Sequence, residues 1–362
     1  MLPIGASEAM SLGEGGTPLL EAQTIGKQLG LGRLLIKDES RNPTWSYKDR
    51  LSAVAISAAR QLGASMVATS SSGNAGASLA AYAAKAGMPC VVLTFAGTAG
   101  PMLSQIEKYG AMVVPLDRKQ DRWPALARSV REHGWFATSP FSAPVVGSHP
   151  LGIEGYKTLA FEICEDLGWE APDWVVMPVC YGDAFAGTWY GFQELHTAGI
   201  ITNLPRMVAA EVFGSLGAAL ATGLDQVPNM PASFAHLAVS VGATQSAFQA
   251  LSVLRQSNGR AVSVGNDGLI EMQEVLAATE GLFTELTSVM PLLAAQRLRG
   301  AGVIAAVETV VCVATASGLK DLDRSRNAST KASIDGDAIS IERFLAERYG
   351  FSAPSAAVAF TQ

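Results

Sequence analysis

NPTWSYKDRL, residues 42–51, is the stretch on which the reading of this chain turns. A lone Lys48 follows a run of small, polar and aromatic residues, with Asp49 and Arg50 directly behind it. Downstream, Leu51, Val54, Ala55, Ala58 and Leu62 fall at helical spacing, which predicts a helix over 48–62 with Gly63 as its stop. A lysine at a helix start is most often a solvated surface residue. The sequence around this one argues for a larger role.

Working outward, extended and helical patterns alternate. Short apolar runs predict strands at 33–37, 65–69, 89–95, 111–116, 173–179, 207–211, 261–264 and 309–314. Between them, helical spacing predicts helices at 77–86, 102–109, 124–133, 154–167, 187–197, 245–254, 267–279 and 288–299, with a short one at 341–349 after a polar loop from 321. Strands that alternate with helices of this length imply an α/β fold of parallel sheets covered on both faces. At 362 residues the chain exceeds what one core usually supports, so two domains are expected. No repeat or low-complexity linker marks the boundary; the segment 139–155, with its prolines and glycines, is the expected crossover.

Composition narrows the function. Hydrophobic residues make up 49% and charged residues 16%, which describes a folded globular chain and not a disordered one. A net charge of −6 and the lack of a basic run give no support to nucleic-acid binding, so small molecules and other subunits are the expected partners. Cys90, Cys164, Cys180 and Cys312 form no C-x-x-C pair, and His133, His149, His196 and His236 show no metal-binding spacing, so no metal is expected. The N-terminus lacks the basic-then-apolar pattern of a secretory signal, and the most apolar stretch, 75–95, is broken by Lys85, Gly87 and Pro89. The reading is a cytoplasmic protein that does not enter a membrane.

Three loops sit where α/β sheets bind ligands, beyond the carboxyl ends of strands. SSSGNAG (70–76) opens a helix, where amide N–H groups favour an anion and Ser71, Ser72 and Asn74 add donors; taken alone, an ordinary N-cap turn explains it better. VCYGDAFAG (179–187) carries Gly182 and Gly187, which would let the backbone wrap a phosphate, although it is neither a Walker A loop nor G-x-G-x-x-G, and Asp183 would oppose an anion if turned inward. ATASGLKD (314–321) offers Thr315 and Ser317 at a strand exit.

Taken together with NPTWSYKDR, these loops resemble the pyridoxal-phosphate enzymes of the tryptophan-synthase β type (fold type II), and among them the threonine synthases. The ordered pieces are GEGGTPLL (13–20), KDESRNPTWSYKDR (37–50), SSGNAGASLAAYAAKAG (71–87), EGYKTLAFEICEDLGWEAPDWVVMPV (154–179) and VCVATASGLKD (311–321). The resemblance implies two domains, each a mostly parallel twisted sheet flanked by helices. Residues 1–47 and 150–362 would form a larger cofactor-binding domain, and 48–149 a smaller, mobile domain that binds the substrate carboxylate. It further implies pyridoxal 5'-phosphate as cofactor, an amino acid as substrate and a homodimer.

By the same resemblance Lys48 is the catalytic, cofactor-bearing lysine. Its amine would form a Schiff base with the cofactor aldehyde, which requires a depressed pKa, and once displaced by substrate it would move protons at the α-carbon. Asn74 would bond the ring oxygen, the backbone of Cys180, Tyr181, Gly182, Asp183 and Ala184 would hold the phosphate, and Thr315 would face the pyridine nitrogen. Ser71, Ser72, Gly73 and Asn74 would take the substrate carboxylate, while Lys320 and Asp321 would stabilise their loop.

Departures from the family pattern point to a changed substrate. Trp45 replaces a small residue. The threonine-synthase stretch N-P-x-R-x-E-G-Q-K-T reads HPLGIEGYKT (149–158), with His149 for the asparagine and Gly152 for the arginine. The glycine loop, roughly G-N-G-G-N, reads CYGDA and ends in Ala184; E-P-S-S-A reads ELTSV (285–289). Hydrogen bonds to charged groups contribute about 1.5–3 kcal/mol each, so these losses argue against a phosphorylated homoserine. The expected function is β- or γ-elimination or replacement on an unphosphorylated amino acid, with Trp45, His149 and Tyr181 reshaping the pocket. Threonine synthase itself and a serine or threonine dehydratase are the alternatives, and a silent binding relative is the rival from outside catalysis.

Overall fold

Two sheets organise the chain. The computed structural model describes residues 2–71, 73–96, 100–325 and 333–351. The larger sheet comprises β1 (Leu19–Glu21), β2 (Arg33–Asp38), β7 (Trp174–Pro178), β8 (Arg206–Glu211), β9 (Arg260–Ser263) and β10 (Thr309–Ala314), in the order β1-β2-β10-β7-β8-β9. The smaller comprises β3 (Val67–Thr69), β4 (Cys90–Phe95), β5 (Met112–Leu116) and β6 (Phe136–Ala137), in the order β5-β4-β3-β6. All pairings are parallel except β1 with β2. The fold is therefore α/β with mostly parallel sheets, as the alternating pattern requires.

The central strands show why. TVVCVA and WVVMP are apolar almost without interruption, because a parallel strand is covered on both faces. Successive residues divide between two cores. Trp174, Val176, Val310 and Cys312 pack with Leu286, Met290 and Leu293 on one side. Val175, Met177, Val311 and Val313 pack with Leu159, Ile163, Phe185 and Phe192 on the other. Val67 and Val92 of the smaller sheet are buried against the helices Lys48–Gln61 and Asn74–Ala86, together with Ile106 of the helix Pro101–Lys108.

The element boundaries differ from the sequence reading chiefly where glycine read as a break. The helix expected over 187–197 runs Asp183–Thr197. Gly187 lies within it and not in a phosphate-wrapping loop: a Cβ there would stand 2.5 Å from the Ile153 carbonyl oxygen, so this glycine serves close helix packing. Gly191 does the same against Lys157. The helix expected from 77 starts at Asn74, with Gly76 packed at 2.7 Å (Cβ position) from the Ser71 carbonyl oxygen. The edge strand β1 and the helices Gln23–Leu29 and Ser215–Thr222 were too short to leave a periodic signature.

By contacts the chain groups into Met1–Ser325 and Arg326–Gln362. Within the second unit, the helix Ala338–Tyr349 is N-capped by Asp337, which accepts from the Ser340 amide. Among the described residues no helix is long and apolar enough to cross a membrane.

Candidate active site

Lys48 is the first residue of the helix Lys48–Gln61, and the backbone before it is stitched to the end of β10. The Tyr47 amide donates to the Thr315 carbonyl (2.9 Å), the Ser317 amide donates to the Trp45 carbonyl (3.1 Å), and Ser46 bridges Ala316. Trp45 adopts φ +65°, a left-handed conformation that costs a non-glycine residue on the order of 1–2 kcal/mol. The two residues after Lys48 are anchors. Asp49 accepts from the Thr44 amide (2.7 Å), Thr44 Oγ1 (2.5 Å) and Ser78 Oγ (2.6 Å), joining two helices of the smaller sheet. Arg50, buried, pairs with Glu39 (2.7 Å) and Glu162 (2.6 Å), which ties the same helix to the larger sheet.

The Lys48 ammonium lies 4.9 Å from the Tyr47 ring centroid and 5.8 Å from that of Tyr156. Burial presses its pKa down, but Tyr156, Tyr47 and Asp183 outweigh burial and hold it above the ordinary lysine value. The sequence reading expected a depressed amine; the structure reverses the direction, because the aromatic groups around it carry oxygens that favour a cation. Tyr156 is fully buried and its hydroxyl has no hydrogen-bond partner of regular geometry among the described residues.

Lys48 opens onto a cavity of about 710 Å³. Ser71, Gly73 and Asn74 line it from one side, Cys180, Tyr181, Gly182, Asp183 and Ala184 from another, and Thr315 from a third. Three loops distant in sequence thus converge on one lysine. Ser72 lies outside the described residues. Trp45 and His149 are not part of the lining: Trp45 is half exposed, and His149 stacks on Phe136 with ring centroids 4.2 Å apart.

Each wall has a distinct character. Asn74 begins the helix Asn74–Ala86, so first-turn amides without intrahelical partners lie at its end. Its Nδ2 donates to Glu285 Oε2 (3.0 Å), while Asn74 Oδ1 and Glu285 Oε1 are buried without partners among the described residues. Burial, reinforced by Asp321, raises the Glu285 carboxyl above the usual range, against the lowering effect of the Asn74 bond. Thr315 Oγ1 meets Ser288 Oγ at 3.1 Å, and Ser288 Oγ also accepts from the Thr315 and Ala316 amides (3.0 Å each). Lys320, also at the lining, donates to the Thr44 carbonyl (2.7 Å), and burial presses its pKa down to about 8 against the pull of Glu285 and Asp49.

The 180–184 loop is a backbone cradle. Gly182 has φ +98° and precedes the helix Asp183–Thr197; a Cβ there would stand 2.5 Å from the Ala250 Cβ. Ser246 Oγ donates to the Cys180 carbonyl (2.6 Å) and the Ala247 amide to the Tyr181 carbonyl (3.0 Å), which turns these carbonyls toward 246–247. The Asp183 carboxylate accepts from the Ser148 amide (3.0 Å) and Ser148 Oγ (2.6 Å), which fix its orientation while its charge still acts on Lys48. Sequence reasoning passed over Glu285, Tyr156 and Ser288 as site residues. They lie in the 149–158 and 285–289 stretches already noted as departures from the family pattern, but their places beside Lys48, Asn74 and Thr315 depend on chain crossings.

A parallel α/β frame with a buried lysine lining a glycine-loop cavity suits a cofactor-dependent enzyme. The chain belongs to the pyridoxal-phosphate dependent enzyme family, whose model matches residues 10–316. It is 34% identical over 346 residues to the threonine synthase of Methanocaldococcus jannaschii, covering 94% of this chain and 84% of that protein. It is 36% identical over 326 residues to that of Synechocystis sp., covering 89% and 81%. Among solved structures, a fungal L-serine ammonia-lyase from Rhizomucor miehei superposes with a TM-score of 0.73 at 17% identity, covering 88% of this chain and 97% of the other. Maize serine racemase does so with a TM-score of 0.71 at 18% identity, covering 85% and 89%. These structural likenesses show the shared fold. The cofactor of the family is pyridoxal phosphate.

The residues present fit that group. Gly182, at φ +98°, lines the cavity at the start of the helix Asp183–Thr197, whose first-turn amides favour a phosphate. The orphaned Asn74 Oδ1 and Glu285 Oε1 leave polar atoms open for a ligand.

Proposed function

We propose that this protein catalyses β- or γ-elimination or replacement on an amino acid that carries no phosphate. Lys48 would carry the cofactor, and the 180–184 amides would hold its phosphate. Asn74 would orient the ring, Thr315 would stand at the ring nitrogen, and Ser71, Ser72, Gly73 and Asn74 would take the substrate carboxylate. Bound pyridoxal phosphate supplies an electron sink at the substrate α-carbon. The Lys48 Nζ, released by substrate, would take and return the α-proton. A neutral Thr315 hydroxyl does not balance a positive ring nitrogen as a carboxylate would, which favours elimination or replacement over transamination. The separate sheet built from β3 to β6 supports reading 48–149 as the smaller carboxylate-binding part. A homodimer and a cytoplasmic location are carried over from the resemblance and the sequence.

The observation that carries the unphosphorylated substrate is Gly152. It stands where the threonine-synthase pattern has an arginine, and a Cβ there would meet Leu51 Cγ at 3.1 Å and Ala55 Cβ at 3.2 Å. The helix bearing Lys48 occupies the space that a cationic side chain would need. Identity to proteins named threonine synthase favours the second reading, in which O-phosphohomoserine is still the substrate. A serine or threonine dehydratase is the third. Holoenzyme incubated with O-phosphohomoserine should release no inorganic phosphate above background, while unphosphorylated hydroxy or acylated amino acids should give 2-oxo acid or a replacement product. Phosphate release with threonine formation would sink the proposal. Turnover of free serine or threonine alone would select the dehydratase.

A further inference from the structure

Four cations besides Lys48 line the cavity and go unused by the reaction just described; Lys320 is held by the Thr44 carbonyl and Arg324 by Asp321, which leaves Lys119 and Arg122. Lys119 opens the 3-10 turn Lys119–Asp121 that leads into the helix Arg122–His133, and Arg122 is that helix's first residue; both line the cavity. Among the described residues no carboxylate lies within ion-pair distance of either. Asp121, the acid between them, is taken by Arg118 at 2.7 Å. The Arg122 guanidinium is fixed by its Nε, which donates to the Lys119 carbonyl (3.2 Å), and by the Phe95 ring, 5.6 Å from its Cζ to the centroid. No partner is recorded for its two Nη atoms among the described residues.

This placement is unfavourable for the fold alone. A cation at the first residue of a helix opposes the macrodipole. Burial already weakens the Arg122 cation, lowering its pKa from the ordinary value. The same features favour an anion: a half-buried guanidinium with open donors, a nearby ammonium and a helix N-terminus all present positive potential to one end of the cavity. Four carboxylates share the lining: Asp183 accepts from Ser148, Asp321 pairs with Arg324 and Glu285 accepts from Asn74, while Asp323 lies beside Arg324 in sequence and is not within ion-pair distance of Lys119 or Arg122 among the described residues. The adjoining lining is apolar. Met102 packs by Gly73 at the carboxylate end, Phe95 lies under Arg122, and Trp123 tilts on Tyr181 with centroids 5.6 Å apart.

We infer that Arg122 and Lys119 bind a carboxylate at the far end of the substrate side chain, so that the substrate is an amino acid whose side chain or leaving group ends in a carboxylate. This rests on the proposed function for the α-amino-acid end and for the absence of a phosphate. A planar carboxylate matches the guanidinium fork, and its methylene stem suits the apolar lining.

The test is binding to the holoenzyme, read by calorimetry and by the shift of the cofactor absorbance. The probes are L-glutamate and L-2-aminoadipate against their uncharged counterparts L-norvaline and L-norleucine, with L-2-amino-5-phosphonopentanoate as the phosphate-like arm. The better dicarboxylate should bind about tenfold or more tightly than its uncharged counterpart. That ratio should fall toward one in Arg122→Gln, fall partly in Lys119→Gln and be largely kept in Arg122→Lys. No dicarboxylate preference, or one that survives Arg122→Gln and Lys119→Gln combined, would overturn the inference. A phosphonate that outcompetes both dicarboxylates through Arg122 would overturn the carboxylate assignment. Failure of the proposed function shows separately, as phosphate release from O-phosphohomoserine by the unaltered enzyme.

Discussion

The amide of Tyr47 donates to the carbonyl of Thr315 at 2.9 Å, and through that one bond the strand exit of β10 fixes where Lys48 begins its helix. The Ser317 amide answers with a bond to the Trp45 carbonyl (3.1 Å), so the two segments pair like short antiparallel strands. Lys48 and Thr315 therefore line one cavity despite their separation in sequence. Arg50 and Asp49 then hold the helix from behind through buried charge and hydrogen bonds.

Tyr156 tunes the lysine. Burial lowers the Lys48 pKa, and Tyr156 is foremost among the groups that raise it. Its hydroxyl has no hydrogen-bond partner of regular geometry among the described residues, so Tyr156→Phe should change stability by no more than about 1 kcal/mol. The amine should become neutral at lower pH, and the pH midpoint for cofactor loading, followed by absorbance, should move downward. An unmoved midpoint would assign the effect to Tyr47 and Asp183.

Glu162 makes the fold acid-sensitive. Burial raises its pKa, but Arg50 and Lys37 more than offset burial and hold it at about 2, below the ordinary 4.5. A depressed carboxylate contributes stability that is complete above the unfolded pKa and lost as pH falls toward the folded one. Here the window runs from 4.5 down to about 2, and the contribution is on the order of 3 kcal/mol. Denaturant unfolding at a series of pH values should show that loss in the native protein and a flatter profile in Glu162→Gln. Arg50→Ala, which strands buried Glu39, should cost about 3–5 kcal/mol at neutral pH.

Gly182 is required twice over. Its φ of +98° strains any L side chain, and its Cβ position lies 2.5 Å from the Ala250 Cβ. Gly182→Ala should cost about 2–4 kcal/mol, the sum of left-handed strain and overpacking. Gly63→Ala is the control, since Gly63 has φ +68° but open space around its Cβ position. Calorimetric melting of Gly182→Ala should fall by roughly 3–6 °C, clearly more than in Gly63→Ala. Equal shifts would show that the Ala250 contact relaxes without cost.

By itself the sequence determined the alternation of strands and helices, because a parallel strand buried on both faces must be apolar throughout, as WVVMP and TVVCVA are. It also singled out Lys48, the 70–76 loop, the 179–187 loop and Thr315, since small and glycine-rich segments after apolar strands are local features. Only the tertiary structure decided that Gly187 packs a helix while Gly182 shapes a cradle; both are glycines in one loop pattern, and what a Cβ would strike depends on residues from elsewhere in the chain. The same holds for Tyr156 beside Lys48, for Glu285 beside Asn74 and for Arg122 at the cavity. Distance along the chain carries no information about which side chains share a cavity, and the charge of each is set by the partners that folding supplies or withholds.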